Sequence, residues 1–448
     1  MVRPWKILGK IVAALLALFI LIVLVFIAIN SIDRAPSPTA LEFQQAWDNR
    51  KAVDDSENGY IYLAGFDAAT DEEPEVVGKK RIQLSNDIVK GIASNDQDLF
   101  RAEYKIEDAF IKEVKTVFDQ CATINKNCIE AVEKNKARII EWSQAENVIG
   151  ERYTQLISHS HWLELASLNN SVPFPNYGLV IKAQRFAFIR EFAALKSGET
   201  ASFTELLDKD LLFWRTVLEN TDVLIGKMIA ITAIKNNFLW TNYFLLSLNQ
   251  NNRATAVPNV VQKKFTNEEL SIHRSFIGEW VFASNGYDGT KKMNSDKFLE
   301  KLNYKFLFKK QDTINGLAAA LKKLIDEQNV SLAEFESIIA QKKAAIEQRD
   351  TQYNWFTYHI MNPYNPVGKI LLAVAAPAYD GYSARVKDLE VFRLGLLASI
   401  AHMNNEPDAR AKYTSPYKTK PFVINQKQRS ITVNGLGKDR NAQMIYSY

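Results

Sequence analysis

Three residues near the middle of the chain have the side chains of an acid/base catalyst. Glu269 and His273 are four residues apart, and Glu279 follows them. On one continuous helix, residues four apart share a face, so that a carboxylate there orients a histidine as a general base. We therefore name Glu269, His273 and Glu279 as catalytic candidates. The alternative is an ordinary pair on the surface of a helix.

A second cluster combines aromatic side chains with a helix start. The stretch from Tyr353 to Lys369 ends in a predicted helix with Asn365 as its N-cap and Pro366 as its first residue. A helix N-terminus attracts anions. We therefore predict a ligand pocket or partner surface formed by Trp355, Tyr358, His359, Asn365 and Lys369. The alternative is an aromatic loop packed over the core.

Other chemistries lack their motifs in the sequence. It contains no His-Glu-x-x-His, Cys-x-x-Cys or calcium-loop pattern, no Gly-x-Ser-x-Gly elbow, and no phosphate or dinucleotide fingerprint. His159 and His161 are two residues apart, so on a helix they point to opposite sides. We expect no metal and no cofactor. The formal net charge of +4 over 448 residues also argues against nucleic acid as a partner.

The chain has two cysteines, Cys121 and Cys128. In one continuous helix their Cα atoms would lie about 10 Å apart, too far for a disulfide. Asn125 and Asn127 provide turn chemistry between two helix-like flanks. We therefore predict a disulfide that closes a helical hairpin, in an oxidising compartment such as a bacterial periplasm. The alternative is two free thiols.

Residues Ile11 to Ile29 form an unbroken apolar run. About 20 such residues cross a bilayer as a helix, so lipid is the first expected partner, and the length favours an uncleaved anchor over a signal peptide. Arg3, Lys6 and Lys10 precede the run and, by the positive-inside rule, hold the N-terminus in the cytoplasm. We predict a single-pass protein of the inner (cytoplasmic) membrane with the bulk of the chain in the periplasm.

Composition divides the rest of the chain. We predict a cytoplasmic N-terminus (1–10), a transmembrane helix (11–30), a Pro-containing stalk (31–38), an acidic membrane-proximal segment (39–105), a helical domain (106–408) and a basic C-terminal β-element (409–448). From Glu42 to Glu75 there are ten acidic residues against two basic ones, so this segment should be solvated. Within it, Tyr60 to Phe66 is expected as a short extended piece or an exposed loop.

Local patterns predict where elements begin. Four pairs match a capping box, namely Thr39 with Glu42, Ser202 with Glu205, Thr266 with Glu269, and Ser331 with Glu334. Apolar residues at helical spacing follow these pairs. Near the C-terminus, β-branched clusters on both sides of residues 426–429 predict a hairpin, with residues 442–448 as the candidate third strand. The predicted fold is mainly α, with a transmembrane helix, a large multi-helix extracytoplasmic domain and a small β-hairpin or three-stranded element.

The tail from Ser415 to Phe422, followed by the hairpin and a glycine-containing stretch from Gly435 to Asp439, resembles the C-terminal element of major pseudopilins. In that family an Asp-Pro-aromatic stretch leads into a small sheet, so the resemblance implies a local β-element. Pseudopilins also carry a Gly-Phe-Thr cleavage point and a Glu inside their apolar helix. This chain has no acidic residue between Met1 and Ile32, so their assembly function is not implied.

Topology and the missing motifs together favour interaction over catalysis. We expect a protein that acts on an envelope protein partner as a scaffold, assembly factor or regulator. The first alternative is a hydrolase or transferase acting on cell-wall or lipid substrates. The second is an immunity-type inhibitor of an envelope-targeting toxin.

Overall fold

The fold is built mainly from helices, as the sequence predicts. The computed structural model describes residues 4–93, 98–106, 110–145, 147–195, 200–289, 306–349, 363–406, 408–437 and 442–448. In these ranges the helices are α1 (Pro4–Ile29), α2 (Pro38–Asp48), α3 (Gly59–Ala64), α4 (Pro74–Lys90), α5 (Lys112–Gln120), α6 (Lys126–Lys134), α7 (Lys136–Ala145), α8 (Val148–Leu156), α9 (Tyr177–Ala194), α10 (Ala201–Asn220), α11 (Leu224–Ser247), α12 (Gln250–Ala256), α13 (Asn259–Gln262), α14 (His273–Gly289), α15 (Lys310–Gln328), α16 (Leu332–Arg349), α17 (Pro366–Met403) and α18 (Ala409–Lys412). An antiparallel sheet has the strands β1 (Val423–Asn425), β2 (Ser430–Asn434) and β3 (Gln443–Ser447), in that order.

Helix α1 carries the N-terminal apolar run. From Ile7 to Ile29 it has 23 residues with a mean hydropathy of 3.5, and none of its most apolar stretch is buried in the protein. At 1.5 Å per residue this length is about 35 Å, which is enough to cross the hydrocarbon core of a bilayer. The predicted apolar helix is therefore confirmed, and it begins before Ile11.

The chain packs into two compact units. The anchor unit is formed by the described residues within Met1–Asn49, Ala283–Leu324 and Ala340–Asp380. The main unit is formed by those within Arg50–Phe282, Ile325–Ile339 and Gly381–Tyr448. Each unit therefore combines segments that are far apart in the sequence.

In the anchor unit, the end of α1 is bonded to the start of α17. Asn30 is fully buried. Its Oδ1 accepts a hydrogen bond from the Asn365 N–H at 2.8 Å, and its Nδ2 donates to the Pro363 carbonyl at 3.0 Å. Three residues further on, Asp33 accepts the Gln311 N–H at 2.8 Å in the first turn of α15. The chain that leaves α1 is thus held by two other helices.

The predicted stalk is bonded to α15 along its length. Arg34 forms an ion pair with Asp312 at 3.0 Å. The Ser37 N–H donates to Asn315 Oδ1 at 2.9 Å, and the Asn315 amide donates in return to the Ala35 carbonyl at 2.9 Å. These bonds hold the segment against the anchor unit, so it does not act as a free spacer.

The main unit is built around α9, α10 and α11. Phe203 of α10 and Phe244 of α11 meet edge to face with ring centroids 4.9 Å apart. Between the three helices, Asp210 is fully buried and accepts hydrogen bonds from the side-chain amides of Gln184 and Asn237. Burial raises the pKa of Asp210 to about 7, although these donors favour its charged form. The core therefore contains a hydrogen-bonded polar centre.

Helix α3 corrects the prediction for Tyr60 to Phe66. Gly59–Ala64 form a helix, and all six residues are buried, so the expectation of an extended piece or an exposed loop was wrong. Asn58 caps this helix by accepting the Tyr60 N–H at 3.2 Å. A short run that is buried on every side has no helical or strand periodicity, so its pattern does not separate the two structures.

Two glycines bring α3 and α4 into backbone contact. A Cβ atom on Gly78 would lie 1.9 Å from the Ile61 carbonyl oxygen, and one on Gly65 would lie 2.0 Å from the Pro74 carbonyl oxygen. Any larger residue would push the two helices apart. The acidic segment therefore contributes closely packed core, where the sequence predicts solvated chain.

The two cysteines pair as predicted. Cys121 ends α5 and Cys128 lies in the first turn of α6, and their Cα atoms are 4.7 Å apart across a disulfide. Asn125 provides the turn chemistry, because its Oδ1 accepts the Cys128 N–H at 3.2 Å as the N-cap of α6. The disulfide therefore closes the tip of a helical hairpin.

The predicted capping boxes have mixed outcomes. Ser331 and Glu334 exchange hydrogen bonds at the start of α16, as predicted. Thr39 lies inside α2, whose N-cap is Ser37. Ser202 lies inside α10, which begins one residue earlier. The predicted starts at Thr39 and Ser202 were therefore wrong, although a helix follows in each case.

The C-terminal element is a three-stranded antiparallel sheet, as predicted. Ile431 and Val433 of β2 and Met444 and Tyr446 of β3 are buried, and they alternate with more exposed residues. The Tyr446 hydroxyl donates to the Phe392 carbonyl of α17 at 3.0 Å. One face of the sheet therefore packs on the rest of the main unit, where it contacts α17.

We expect Cys121 and Cys128 to resist alkylation in protein taken from native membranes. Intact-mass analysis should find no added alkyl group before reduction and two after it. Reduction should also lower the free energy of unfolding of the main unit by about 2 kcal/mol, because it removes a crosslink over a short loop. As a control, the Cys121→Ser variant should take up one group without reduction. Two groups on the unreduced wild type would contradict the disulfide.

Candidate functional site

The structure separates Glu269 from the helix that carries His273. Glu269 lies before α14, in a turn where it accepts the Thr266 N–H at 2.6 Å, so the placement of Glu269 and His273 on one helix was wrong. Its two carboxylate oxygens accept hydrogen bonds from Arg215 at 2.6 and 2.7 Å, and the pair is buried. A carboxylate held by a guanidinium on both oxygens is a structural ion pair, which does not suit a general base.

His273 and Glu279 are both on α14. His273 is its first residue and is exposed. Glu279 accepts the Leu224 N–H at 3.3 Å, at the start of α11. The carboxylates of Glu269 and Glu279 therefore have separate partners, Arg215 and the Leu224 N–H.

The predicted aromatic loop is only partly described. Trp355, Tyr358 and His359 lie outside the described residues. Asn365 is the N-cap of α17, as predicted, with a left-handed φ of 50° and its Oδ1 accepting the Gly368 N–H at 3.1 Å. Lys369 lies in the first turn, and burial lowers the pKa of its ammonium. The Asn365 side chain thus occupies one of the donors that an anion at this helix end would use.

The main unit contains a cleft that the sequence did not predict. It has a volume of about 500 Å³ and lies between α3, α4, the start of α9 and the start of α11. Its apolar walls include Tyr60, Ile82, Phe100, Phe174, Ile225 and Ile229. Polar side chains, among them Asp67, Arg81 and Asn176, share the lining with these apolar groups, and a concave site of this size that combines the two is a candidate ligand site.

The charged groups of the cleft are bonded to each other. Asp67 and Arg81 form a buried ion pair, and the Asn176 amide donates to Asp67 Oδ2 at 3.0 Å. Arg81 also donates to the Ala64 carbonyl at 2.9 Å, which ties α4 to α3. Asn176 accepts the Leu179 N–H at 3.1 Å as the N-cap of α9. These polar groups therefore have fixed positions in the cleft wall.

Tyr177 is the unusual side chain of this cleft. Its hydroxyl oxygen is buried and makes no hydrogen bond. Burial raises the pKa of Tyr177 well above its usual range, and the neighbouring Glu164 and Tyr60 raise it further. A buried hydroxyl without a partner is rare in folded proteins, and here it belongs to a residue that lines a cleft.

Behind the cleft lies a buried carboxyl group, Glu164. It accepts hydrogen bonds from Trp162 Nε1 at 2.8 Å, from the Thr221 hydroxyl at 2.5 Å and from the Asp222 N–H at 2.9 Å. The Tyr60 ring in the cleft wall meets the Trp162 ring edge to face, with centroids 5.6 Å apart. Through these contacts one side chain, Trp162, connects Glu164 to the cleft wall.

Asp222 is the second carboxylate of this cluster. Arg50 contacts its Oδ2 at 2.6 Å, and Arg274 contacts its Oδ1 at 2.7 Å. Two guanidinium groups thus balance Asp222, whereas the donors to the Glu164 side chain among the described residues are neutral. Burial, followed by the charge of Asp222, raises the pKa of Glu164 to about 7.

Sequence reasoning missed both the cleft and Glu164. The available signal was an acidic residue between large apolar ones, in Trp162-Leu163-Glu164-Leu165. An acid in such a stretch is typical of a buried carboxyl with a specific role in packing or function. Among the described residues, no group of three or more His, Cys, Asp or Glu side chains is placed to hold a metal ion. The arrangement suits binding of a ligand in the cleft.

Comparison of the chain with known protein families, with curated proteins and with solved structures returned no match.

The Glu164→Gln variant should weaken the dependence of stability on pH. Because the folded protein binds the Glu164 proton more tightly than the unfolded chain, the free energy of unfolding should fall as pH rises from 4.5 to about 7. This group accounts for a fall of up to about 3 kcal/mol, and the variant should lose that part of the fall. Chemical denaturation at pH 5 and pH 8 measures it.

The control for this experiment is Glu141→Gln. Glu141 is an exposed acid on α7 that pairs with Arg138, so its variant should follow the wild-type profile. Equal pH profiles for wild type and Glu164→Gln would contradict the assignment of a raised pKa to Glu164.

Proposed function

We propose that this protein is a single-pass protein of the cytoplasmic membrane that acts outside the cytoplasm by binding a partner protein. Support for the anchor comes from the apolar helix α1, exposed along its most apolar stretch, and from the basic residues that precede it. The disulfide supports an oxidising compartment such as the periplasm. In this arrangement the N-terminus is cytoplasmic and the rest of the chain is periplasmic.

The observation that carries the binding proposal is the cleft of the main unit. Its rim presents Phe174, which is exposed, stacks on Phe282 and lies between two prolines. Ile225, at the start of α11, also lines the cleft and is 41% exposed. Exposed aromatic and branched side chains around a concave site are typical anchors of protein recognition. We infer that the cleft receives apolar side chains from an extended segment of the partner.

Binding fits the cleft better than catalysis does. The charged side chains of the cleft, Asp67 and Arg81, form an ion pair with each other, so they are already bonded before a substrate arrives. Glu269, His273 and Glu279 are not among the residues that line it. The proposed role is therefore that of a scaffold, assembly factor or regulator, and an inhibitor of an envelope-targeting toxin is one form of the same binding role.

The proposed topology predicts the behaviour of reporter fusions. An enzyme that is active only outside the cytoplasm should be active when fused after Tyr448. An enzyme that is active only in the cytoplasm should be inactive at the same position. The physical reason is that Arg3, Lys6 and Lys10 resist transfer across the membrane. The opposite pair of activities would contradict the proposed orientation.

Photo-crosslinking in cells tests the cleft directly. A photoreactive amino acid in place of Phe174, in the full-length protein, should give one reproducible protein adduct after illumination. The same amino acid in place of Leu212, an exposed residue of α10 that does not line the cleft, should not give it. Mass spectrometry of the adduct identifies the partner.

A blocking variant then separates cleft binding from nearby contacts. Ile225→Arg places a charge in the apolar wall and should reduce the Phe174 adduct by about tenfold, the effect of a loss of about 1.4 kcal/mol. Leu246→Arg is the matched control, because Leu246 is 37% exposed at the other end of α11. Equal adduct yields in these two variants would contradict the cleft as the binding site.

A further inference from the structure

The first turns of α17 have an exposed apolar face. Ile370, Leu371 and Val374 are 51%, 38% and 73% exposed, and their spacing places them within about 100° of one another around the helix. Leu372 points the other way and packs on α15, where a Cβ atom on Gly316 would lie 2.4 Å from it. The helix is therefore packed on one side, and no described residue covers its apolar side.

Hydrogen bonds place this face next to the end of α1. The Asn365 N–H, at the start of α17, donates to Asn30 Oδ1 at 2.8 Å. The neighbouring Tyr364 hydroxyl donates to the Ile32 carbonyl at 3.3 Å. Asn30 directly follows Ile29, the last residue of the apolar run. The start of α17 and the end of α1 are therefore at the same level along the axis of α1.

That level corresponds to a membrane surface if α1 spans a bilayer. The polar layer of each leaflet is about 5 to 8 Å thick, and interfacial helices bury their apolar face by about 5 to 10 Å. Ile370 is five residues beyond Asn365, which is about 8 Å along a helix axis. Even if α17 stands upright, Ile370 remains at the depth of the lipid headgroups and Leu371, about 9 Å from Asn365, lies at their outer edge. A tilt of α17 brings Leu371 and Val374 closer to the bilayer.

We propose that Ile370, Leu371 and Val374 form a second membrane contact, which docks on the leaflet from which α1 emerges. The proposal rests on the proposed anchoring by α1. The residues around the junction have the chemistry of an interface, since Arg34 lies over the Tyr364 ring at 4.9 Å from its centroid. Tyrosine and arginine are typical of the headgroup level, where an apolar body meets a polar end.

Lipid is the occupant that the geometry favours. Asn365, five residues before Ile370, is hydrogen-bonded to Asn30 at the end of α1. The apolar face therefore continues a surface that contacts lipid in the proposed topology. Pro366–Ala375 is apolar but too short to cross a bilayer, and its exposed residues Ile370, Leu371 and Val374 are available to a lipid surface. A second copy of this chain or another protein on this face is an outcome that the experiment distinguishes.

Depth-dependent fluorescence quenching tests the proposal on the full-length protein. The variants Ile370→Cys and Val374→Cys are labelled with an environment-sensitive fluorophore, because the native cysteines are held in the disulfide. They are reconstituted in vesicles of phosphatidylethanolamine and phosphatidylglycerol. The quenchers are a spin label on the lipid headgroup and iodide in the buffer. Leu18→Cys in α1 is the lipid reference, and Leu212→Cys is the reference for an exposed residue of the main unit.

We expect the headgroup quencher to act on the Ile370 label more strongly than on the Leu18 label, which lies near the bilayer centre in the proposed topology, and more strongly than on the Val374 label. Iodide should quench both α17 labels less than the Leu212 label. Iodide quenching at Leu212 levels, with Leu18 protected, would overturn the second contact and leave the anchor intact. Protection from both quenchers would indicate a protein on this face and would also overturn it. Iodide access to Leu18 would refute the anchor itself, and the second contact with it.

Discussion

A buried charged carboxylate is costly unless cationic groups pair with it. Asp222 is such a carboxylate, and several segments of the main unit meet at it. Arg50 and Arg274 bind its two oxygens, and its N–H is donated to Glu164. The backbone is equally constrained, since a Cβ atom on Gly278 would lie 1.6 Å from the Asp222 carbonyl oxygen. Loss of either arginine would leave part of the buried Asp222 charge without compensation. The junction of α10 and α11, the start of α14 and the segment that carries Glu164 are thus held by one cluster, and α11 forms one wall of the cleft.

The cleft and the anchor junction are built in the same way. In the cleft, Asp67 is held by Arg81 and Asn176. At the junction, Asn30 and Asn365 bond to each other and to neighbouring carbonyls. When the polar groups of a network are hydrogen-bonded to one another, the network keeps its shape without a ligand. Little conformational entropy is then lost when a partner binds. This preorganisation supports the binding role proposed for the cleft.

Features with a local cause could be predicted from the sequence. The apolar run of α1, the disulfide and the sheet depend on length, loop geometry and alternation. The start of α2 was misplaced because Ser37 and Thr39 are both good caps and lie two residues apart. The cleft and the Glu164 cluster could not be predicted, because their residues come from separate parts of the chain and meet only through tertiary packing. Asn365 lies between these cases, since its role as N-cap was predicted and its bond to Asn30 was not.

The bonded junction after α1 has a mechanical consequence in a bilayer. Apolar helices adjust to membrane thickness by tilting, and Ile7–Ile29, at about 35 Å, exceeds a hydrocarbon core of about 30 Å. A flexible linker would absorb such a tilt, but Asn30 and Asp33 join α1 directly to α17 and α15. The anchor unit must then tilt together with α1. A thicker bilayer decreases this tilt angle, and a thinner one increases it. If α1 spans a bilayer, the thickness of the membrane is in this way converted into the angle of the anchor unit.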